Sequence, residues 1–226
     1  MKQFNKRAAV ILGAVFIPSL LATAQERAIS VEQEPLHKMV LKNDYVEVMH
    51  VTIPPGQKTM LHTHSHDGIA IDLSESTARI DAPGKEPLQR QRHAGDVSSA
   101  EYAKQHFTHR VNNIGKTTFE ALDIELLKRP AGLKTEPIAA PAAENGSFRA
   151  YKWALAPGAS TPVHTHARPY LIIAATPMQL VMKAPDGGSM EHPIKAGDFH
   201  WIDTKVTHTL TNNGKESGII FEVEVR

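Results

Sequence analysis

The chain has no cysteine. That excludes disulfides, thiolate metal sites, haem attachment and a cysteine nucleophile, so any metal must be held by nitrogen and oxygen. It also lacks a basic run or patch, which argues against nucleic acid and against a charged membrane surface as partners. The serines at 74, 76, 98 and 99 sit in no strand–turn–helix nucleophile pattern. Gly187-Gly188 is not followed by a helix start, so it reads as a hairpin turn rather than a phosphate loop. Helical periodicity is weak beyond the first 24 residues.

What is present begins with the N-terminus. Lys2, Lys6 and Arg7 precede an apolar run from Ala8 to Leu21, and Ala22-Thr23-Ala24 follows as a small-x-small cleavage site. The run is short for a membrane span, which needs about 20 residues. We read 1–24 as a cleaved secretory signal peptide and expect a periplasmic or secreted protein with no membrane contact afterwards. Removing those three cations from the 25 basic residues leaves 22 against 24 acidic ones. The mature chain is therefore slightly acidic. Its length suits one large domain or two of about 100 residues.

The chain repeats itself. A shift of 102 places Gly56 on Gly158, His62 on His164, His64 on His166, and Ala94-Gly95-Asp96 on Ala196-Gly197-Asp198. The shift then becomes 99, and His109 meets His208, Asn113 meets Asn212, and Gly115-Lys116 meets Gly214-Lys215. One three-residue indel between collinear halves marks an internal duplication. Between the halves, Arg129 to Ser147 is rich in Pro, Ala and Gly and reads as a linker. Its Asn145-Gly146-Ser147 fits both a turn and a glycosylation acceptor. The expected organisation is a signal at 1–24, a first domain at 25–128, a linker at 129–147 and a second domain at 148–226.

The local pattern is that of strands. Residues 45–53 (YVEVMHVTI), 119–127 (FEALDIELL) and 219–225 (IIFEVEV) alternate. Many short strands closed by turn residues predict an all-β sandwich or barrel, present twice or fused face to face with its twin. Lys and Glu along the terminal strands read as solvated faces.

His62 and His64 are two apart, which on a strand puts both imidazoles on one face. His164 and His166 repeat this, and His109 and His208 each follow on a later strand that a barrel can bring alongside. Three nitrogen ligands with open positions make a reactive rather than a closed metal site. The predicted ligands are His62, His64, His109, His164, His166 and His208. The ion is a divalent transition metal, Fe, Zn, Cu, Ni or Mn.

On these residues the chain resembles the cupin superfamily. That family's first motif is Gly, five residues, His-x-His, then three or four residues and Glu; its second ends in His, three residues, Asn. Gly56 to His64 and Gly158 to His166 fit the first, and His109 with Asn113 and His208 with Asn212 fit the second. The resemblance covers about residues 36–128 and 147–226. It implies two tandem double-stranded β-helix (jelly-roll) cupin barrels. The motif's Glu is missing, for Gly68, Ile69, Tyr170 and Leu171 stand there. Each site is therefore expected to be three-His, with a positive centre favouring an anionic or chelating ligand.

His66 shares the parity of the ligands, and His66 and Tyr170 are the candidate catalytic residues by position. Asp67, of opposite parity, and His106 read as polar rim. Trp201, after the second Ala-Gly-Asp turn, reads as packing. The function expected is a metal-binding bicupin, an oxygenase or another metal-dependent enzyme acting on a small chelating organic molecule. The alternative is a non-catalytic periplasmic module that binds or senses a metal or small ligand. Storage is a weaker third reading. Open barrel edges are compatible with a homodimer.

Overall fold

Most of the strands are runs rich in β-branched and aromatic residues, and most are bounded by Gly, Pro, Asn or Asp. The computed structural model describes residues 26–131 and 135–226. The signal peptide expected over 1–24, and residues 132–134 of the expected linker, lie outside the described residues.

The first half holds β1 (Ile29–Ser30), β2 (His37–Lys42), β3 (Val46–Ile53), β4 (His62–His64), β5 (Asp67–Asp72), β6 (Ser76–Asp81), β7 (Leu88–Arg92), β8 (Val97–Glu101), β9 (Phe107–Asn113) and β10 (Phe119–Leu126). The second holds β11 (Ala143–Glu144), β12 (Phe148–Leu155), β13 (His164–His166), β14 (Tyr170–Ala174), β15 (Met178–Lys183), β16 (Ser189–Ile194), β17 (Phe199–Ile202), β18 (Val206–Asn212) and β19 (Gly218–Val225). In the first half the sheets run β1-β4-β9-β6-β7 and β2-β3-β10-β5-β8. In the second they run β11-β12-β19-β14-β17 and β13-β18-β15-β16. The chain is all-β and forms two tandem jelly-roll barrels. Within the segment read as linker, Ala143 and Glu144 pair with Ala150 and Arg149.

The second-motif asparagines lock a turn. Asn113 Nδ2 donates to Ile53 O and Thr117 O at 2.7 and 2.8 Å, and its Oδ1 accepts from Gly115 N at 3.0 Å. Asn212 does the same with Leu155 O, Glu216 O and Gly214 N. This Asn-x-Gly fixes the end of the strand that carries the third histidine. It is a positioning device for the site.

The barrels meet face to face through one core. Val48, Ile69, Ile71, Leu122 and Ile124 of the first half pack with Phe148, Leu171, Ile173, Phe221 and Val223 of the second. The repeated Ala-Gly-Asp turns seal the edges of this contact. Gly95 has φ +83°, and a Cβ there would lie 2.9 Å from Ile219 Cδ1; Gly197 has φ +86° and approaches Leu73 Cδ1. Both the left-handed backbone and the close approach require glycine.

That interface reverses the expected polarity of the terminal strands. On β10, Leu122 and Ile124 face the other barrel, so Asp123 and Glu125 point into their own lumen. On β19, Phe221, Val223 and Val225 face the twin, and Glu222 and Glu224 point inward. Glu125, Glu222 and Glu224 are at most 1% exposed. The expectation that these acidic residues form solvated faces is therefore wrong. Alternation identified the strands, but the apolar face packs on a second barrel and leaves the lumen for charge.

Candidate metal centres and ligand cavity

In the second barrel β13 pairs with β18 so that His164 lies opposite His208. His164, His166 and His208 turn their Nε2 atoms to one carboxylate oxygen, Glu222 Oε1, at 3.2, 3.1 and 2.8 Å. Outer partners set the rings. His164 Nδ1 donates to Pro162 O at 2.8 Å and His166 Nδ1 to Glu224 Oε1 at 2.9 Å. With their Nδ1 protons committed outward, these two rings face Glu222 either as lone pairs gathered for a cation or as buried imidazoliums. Such carboxylate- and carbonyl-backed histidines are the usual outer shell of a metal site. Burial opposes Glu222's charge, but hydrogen bonds from the three histidines hold its carboxyl well below the usual range. Burial also opposes charge on His166, yet Glu222 and Glu224 lift it to about 9.

The predicted second-half histidines are thus brought together, with an addition. The expected three-His site is a three-His, one-carboxylate cluster. Its carboxylate comes from β19, not from the position after His-x-His. That position holds Tyr170, and Tyr170 pairs with Glu224 on the neighbouring strand.

The first barrel repeats the frame. His62 lies opposite His109, and His62, His64 and His109 form a cluster. His62 Nδ1 donates to Met60 O at 3.0 Å, His64 Nδ1 to Glu125 Oε1 at 2.6 Å, and His64 Nε2 stands 3.1 Å from His109 Nε2. His62 Nε2 is buried without a hydrogen-bond partner. Burial pushes His62 down to about 4; burial and then the neighbouring His62 and His64 push His109 down to about 2. The counterpart of Glu222 is Asp123, one methylene shorter. It does not join the cluster; its Oδ2 lies 3.6 Å from His64 Nδ1. Burial raises its carboxyl above the usual range, only partly offset by His64.

The lumens differ more than the ligands. At matched positions the second barrel has Trp153, Tyr170, Ile172, Leu180, Ile202 and Ile220, and the first has Val51, Gly68, Ala70, Ala78, Ala100 and Ala121. The large set packs the second lumen: Tyr170 stacks on His166 at 3.9 Å, and Trp153 stacks on His164 at 5.8 Å while donating to Glu222. The small set lines a cavity of about 340 Å³ that reaches His64, His109, Asp123, Tyr102 and Phe107. Six size differences at matched positions leave one barrel of the pair open and the other filled.

The remaining candidates fall outside the two histidine clusters, although His66 gathers with Glu32, Glu47 and Glu125 in a further group of possible ligands. Tyr170 is fully buried, its hydroxyl has no hydrogen-bond partner, and burial followed by Glu222 and Glu224 raises its phenol. His66 Nδ1 binds Glu125 Oε2 at 3.1 Å, behind the ligands rather than among them. Asp67 accepts from Ser147 Oγ at 2.5 Å, a contact between the two halves. His106 is exposed, and Trp201 stacks on Tyr45 across the interface. Asp123, Glu125, Glu222 and Glu224 were the residues not predicted. Continuing the parity count from the ligand strands to their barrel neighbours would have pointed them inward.

No family model matches the chain. Beta-alanine degradation protein BauB of Pseudomonas aeruginosa is 27% identical over 83 residues, 37% of this chain and 86% of that protein. AerE from Microcystis aeruginosa has a similar structure, with TM-score 0.55 and 15% identity over 85% of this chain and 98% of that one. Bacillus subtilis oxalate decarboxylase, with its Mn(II) centres, has TM-score 0.54 and 12% identity over 80% and 69%. A cupin 2 conserved barrel domain protein from Leptotrichia buccalis has TM-score 0.51 and 9% identity over 83% and 87%. At these identities the likeness establishes the fold, and that fold is the tandem cupin barrel.

Proposed function

We propose that the protein is a metal-dependent enzyme that works in its first barrel on a small chelating organic molecule. One observation carries this: the first histidine cluster borders a cavity, and the second is walled in by Tyr170 and Trp153. The donor sets fit a divalent transition ion. The second cluster offers three imidazoles and one carboxylate, a donor set that Mn, Fe or Zn accepts, and the oxalate decarboxylase of similar fold has Mn(II) centres.

In the first barrel His62, His64 and His109 would hold the ion, which would supply Lewis acidity and, if redox-active, an electron. The chain's own contributions are distinct. Met60 O and Glu125 aim the rings. The apolar wall excludes water. Asp123, Tyr102 and His37 are cavity groups outside the ligand set able to pass a proton to a bound molecule. A second reading, a binding module without turnover, draws on the sealed second site.

The test is elemental analysis of the mature chain beside two triple variants, His62/His64/His109→Ala and His164/His166/His208→Ala. Two ions per chain are expected, one lost with each triple. Turnover of diketones, phenols or thiols should vanish with the first triple. A first cluster that takes up no metal on reconstitution would overturn the proposal. A loaded protein that consumes no oxygen with any of the panel would rule out the oxygenase form.

A further inference from the structure

We infer that the first-barrel cavity takes a carboxylic acid with an apolar body, its carboxylate held by Arg90. This rests on the first barrel being the ligand-binding half. β7 presents alternate residues to the cavity, Leu88, Arg90 and Arg92. Arg92 is already committed: its Nε lies 3.0 Å from Asp72 Oδ2, its Nη2 donates to Asp72 Oδ1 at 3.1 Å, and its guanidinium lies over Phe119. Arg90 is exposed at the rim, and among the described residues no carboxylate pairs with it.

The cavity's one acidic wall residue, Asp123, belongs to the other end. Arg90 pairs with Ala78, and Ala78 with Asn113, four residues beyond His109. Four residues of strand are about 13 Å, and two strand spacings of about 4.8 Å separate β9 from β7. Val111 and Ala121 line the stretch between the two ends, with Ala78 beside Arg90 and Ala70 beside Asp123. The lining therefore reads cation, apolar stretch, histidine cluster. A guanidinium offers parallel N–H donors that match one carboxylate, so a single Arg suits a monoanion. Leu88, 46% exposed beside it, extends the apolar wall to the mouth. The second barrel has His192 at this position and a filled lumen behind it, so the feature belongs to the open barrel.

The test is calorimetric titration of the metal-loaded full chain with benzoate, 3-phenylpropionate and octanoate, each against its primary amide. At least one acid should bind about tenfold or more tightly than its amide. Arg90→Gln should bring that ratio to about one and leave amide binding unchanged. Arg90→Lys should restore part of it. Arg79→Gln, which removes an arginine paired with Asp81, should change nothing. Equal binding of acids and amides, or a ratio that survives Arg90→Gln, overturns the inference. Amides that bind without acid preference, and are expelled by Gly68→Tyr, would do so while leaving the ligand-binding barrel intact. No binding by either series overturns the inference and leaves the proposed function to be decided by metal uptake and turnover. Acid binding through Arg90 in a chain whose first cluster takes no metal would sustain the anion site and sink the enzyme.

Discussion

The two barrels share a frame and differ in what fills it. Both set a His-x-His strand against a third histidine, and both back the second histidine with a glutamate, Glu125 or Glu224. The second barrel completes its cluster with Glu222 and closes over it with aromatic rings; the first shortens that carboxylate to Asp123 and replaces the rings by Val51 and Gly68. Duplication thus supplies one copy that can be spent on packing and tight ligation. The other is free to lose volume and gain access.

The largest effect expected from breaking this comparison is at Gly68. A Cβ there meets only ordinary contacts, the nearest being Ile124 O at 3.4 Å, so the backbone accepts a side chain. Gly68→Tyr copies the second barrel and fills the cavity. Ligand binding and turnover should fall by about a hundredfold or more, the scale of losing most of a small ligand's contact. Metal content at both sites should hold. Titration and elemental analysis on one sample check it, and unchanged binding would mean that the cavity is not where ligands go.

Next is the carboxylate. Glu222→Asp gives the second barrel the first barrel's shorter reach. Its metal affinity should drop about 10- to 100-fold. Asp123→Glu should do the reverse in the first barrel, tightening metal and weakening ligand binding. Competition with a chelator measures both. If neither moves, one methylene does not distinguish the sites.

Stability gives a smaller contrast. Tyr170→Ala removes a fully buried ring and should cost about 3–5 kcal/mol, because the filled lumen cannot collapse around the void. Ala121→Ile, its opposite in kind, enters existing space and should cost little. Chemical denaturation separates them, and equal losses would mean the first cavity is not really open.

How much of this could be read from the residues varies with what set them. His62, His64, His109 and their partners were legible because spacing of two on a strand and repetition at a fixed shift are local signals. Glu222 was not, because its role depends on which face of β19 points inward. A strand with apolar residues on alternate positions ordinarily turns them to its own core. Here they face a second barrel, a relation between domains that one strand's pattern does not carry. The cavity lies between these cases. Gly68 against Tyr170 stood in the repeat, but the other five size differences acquire meaning only once all six share a lumen.

The finest contrast is in pH dependence of the metal-free chain. In the first barrel burial pushes His37 to about 3, His62 to about 4 and His109 to about 2. Unfolded, each returns to about 6.5. Between about pH 4 and 6.5 the unfolded chain binds more protons, so stability rises with pH and is lost on acidification. His64 runs the other way: burial opposes its charge, but Glu125 and then Asp123 raise it, and one such group offsets only part of three. In the second barrel His166 is lifted to about 9, so the folded chain holds the extra proton. That contribution is complete below about pH 6.5 and disappears as pH climbs through 9. Each unit is worth about 1.4 kcal/mol, so each shifted histidine contributes on the order of a few kcal/mol over these pH windows. Native-state hydrogen exchange at pH 5, 6.5 and 8.5, corrected for intrinsic rates, should find β4 and β9 loosening first in acid and β13 and β18 first in base. Loosening of both pairs in the same direction would show that Glu222 and Glu224 do not set the second site apart, and that the two clusters differ in access alone.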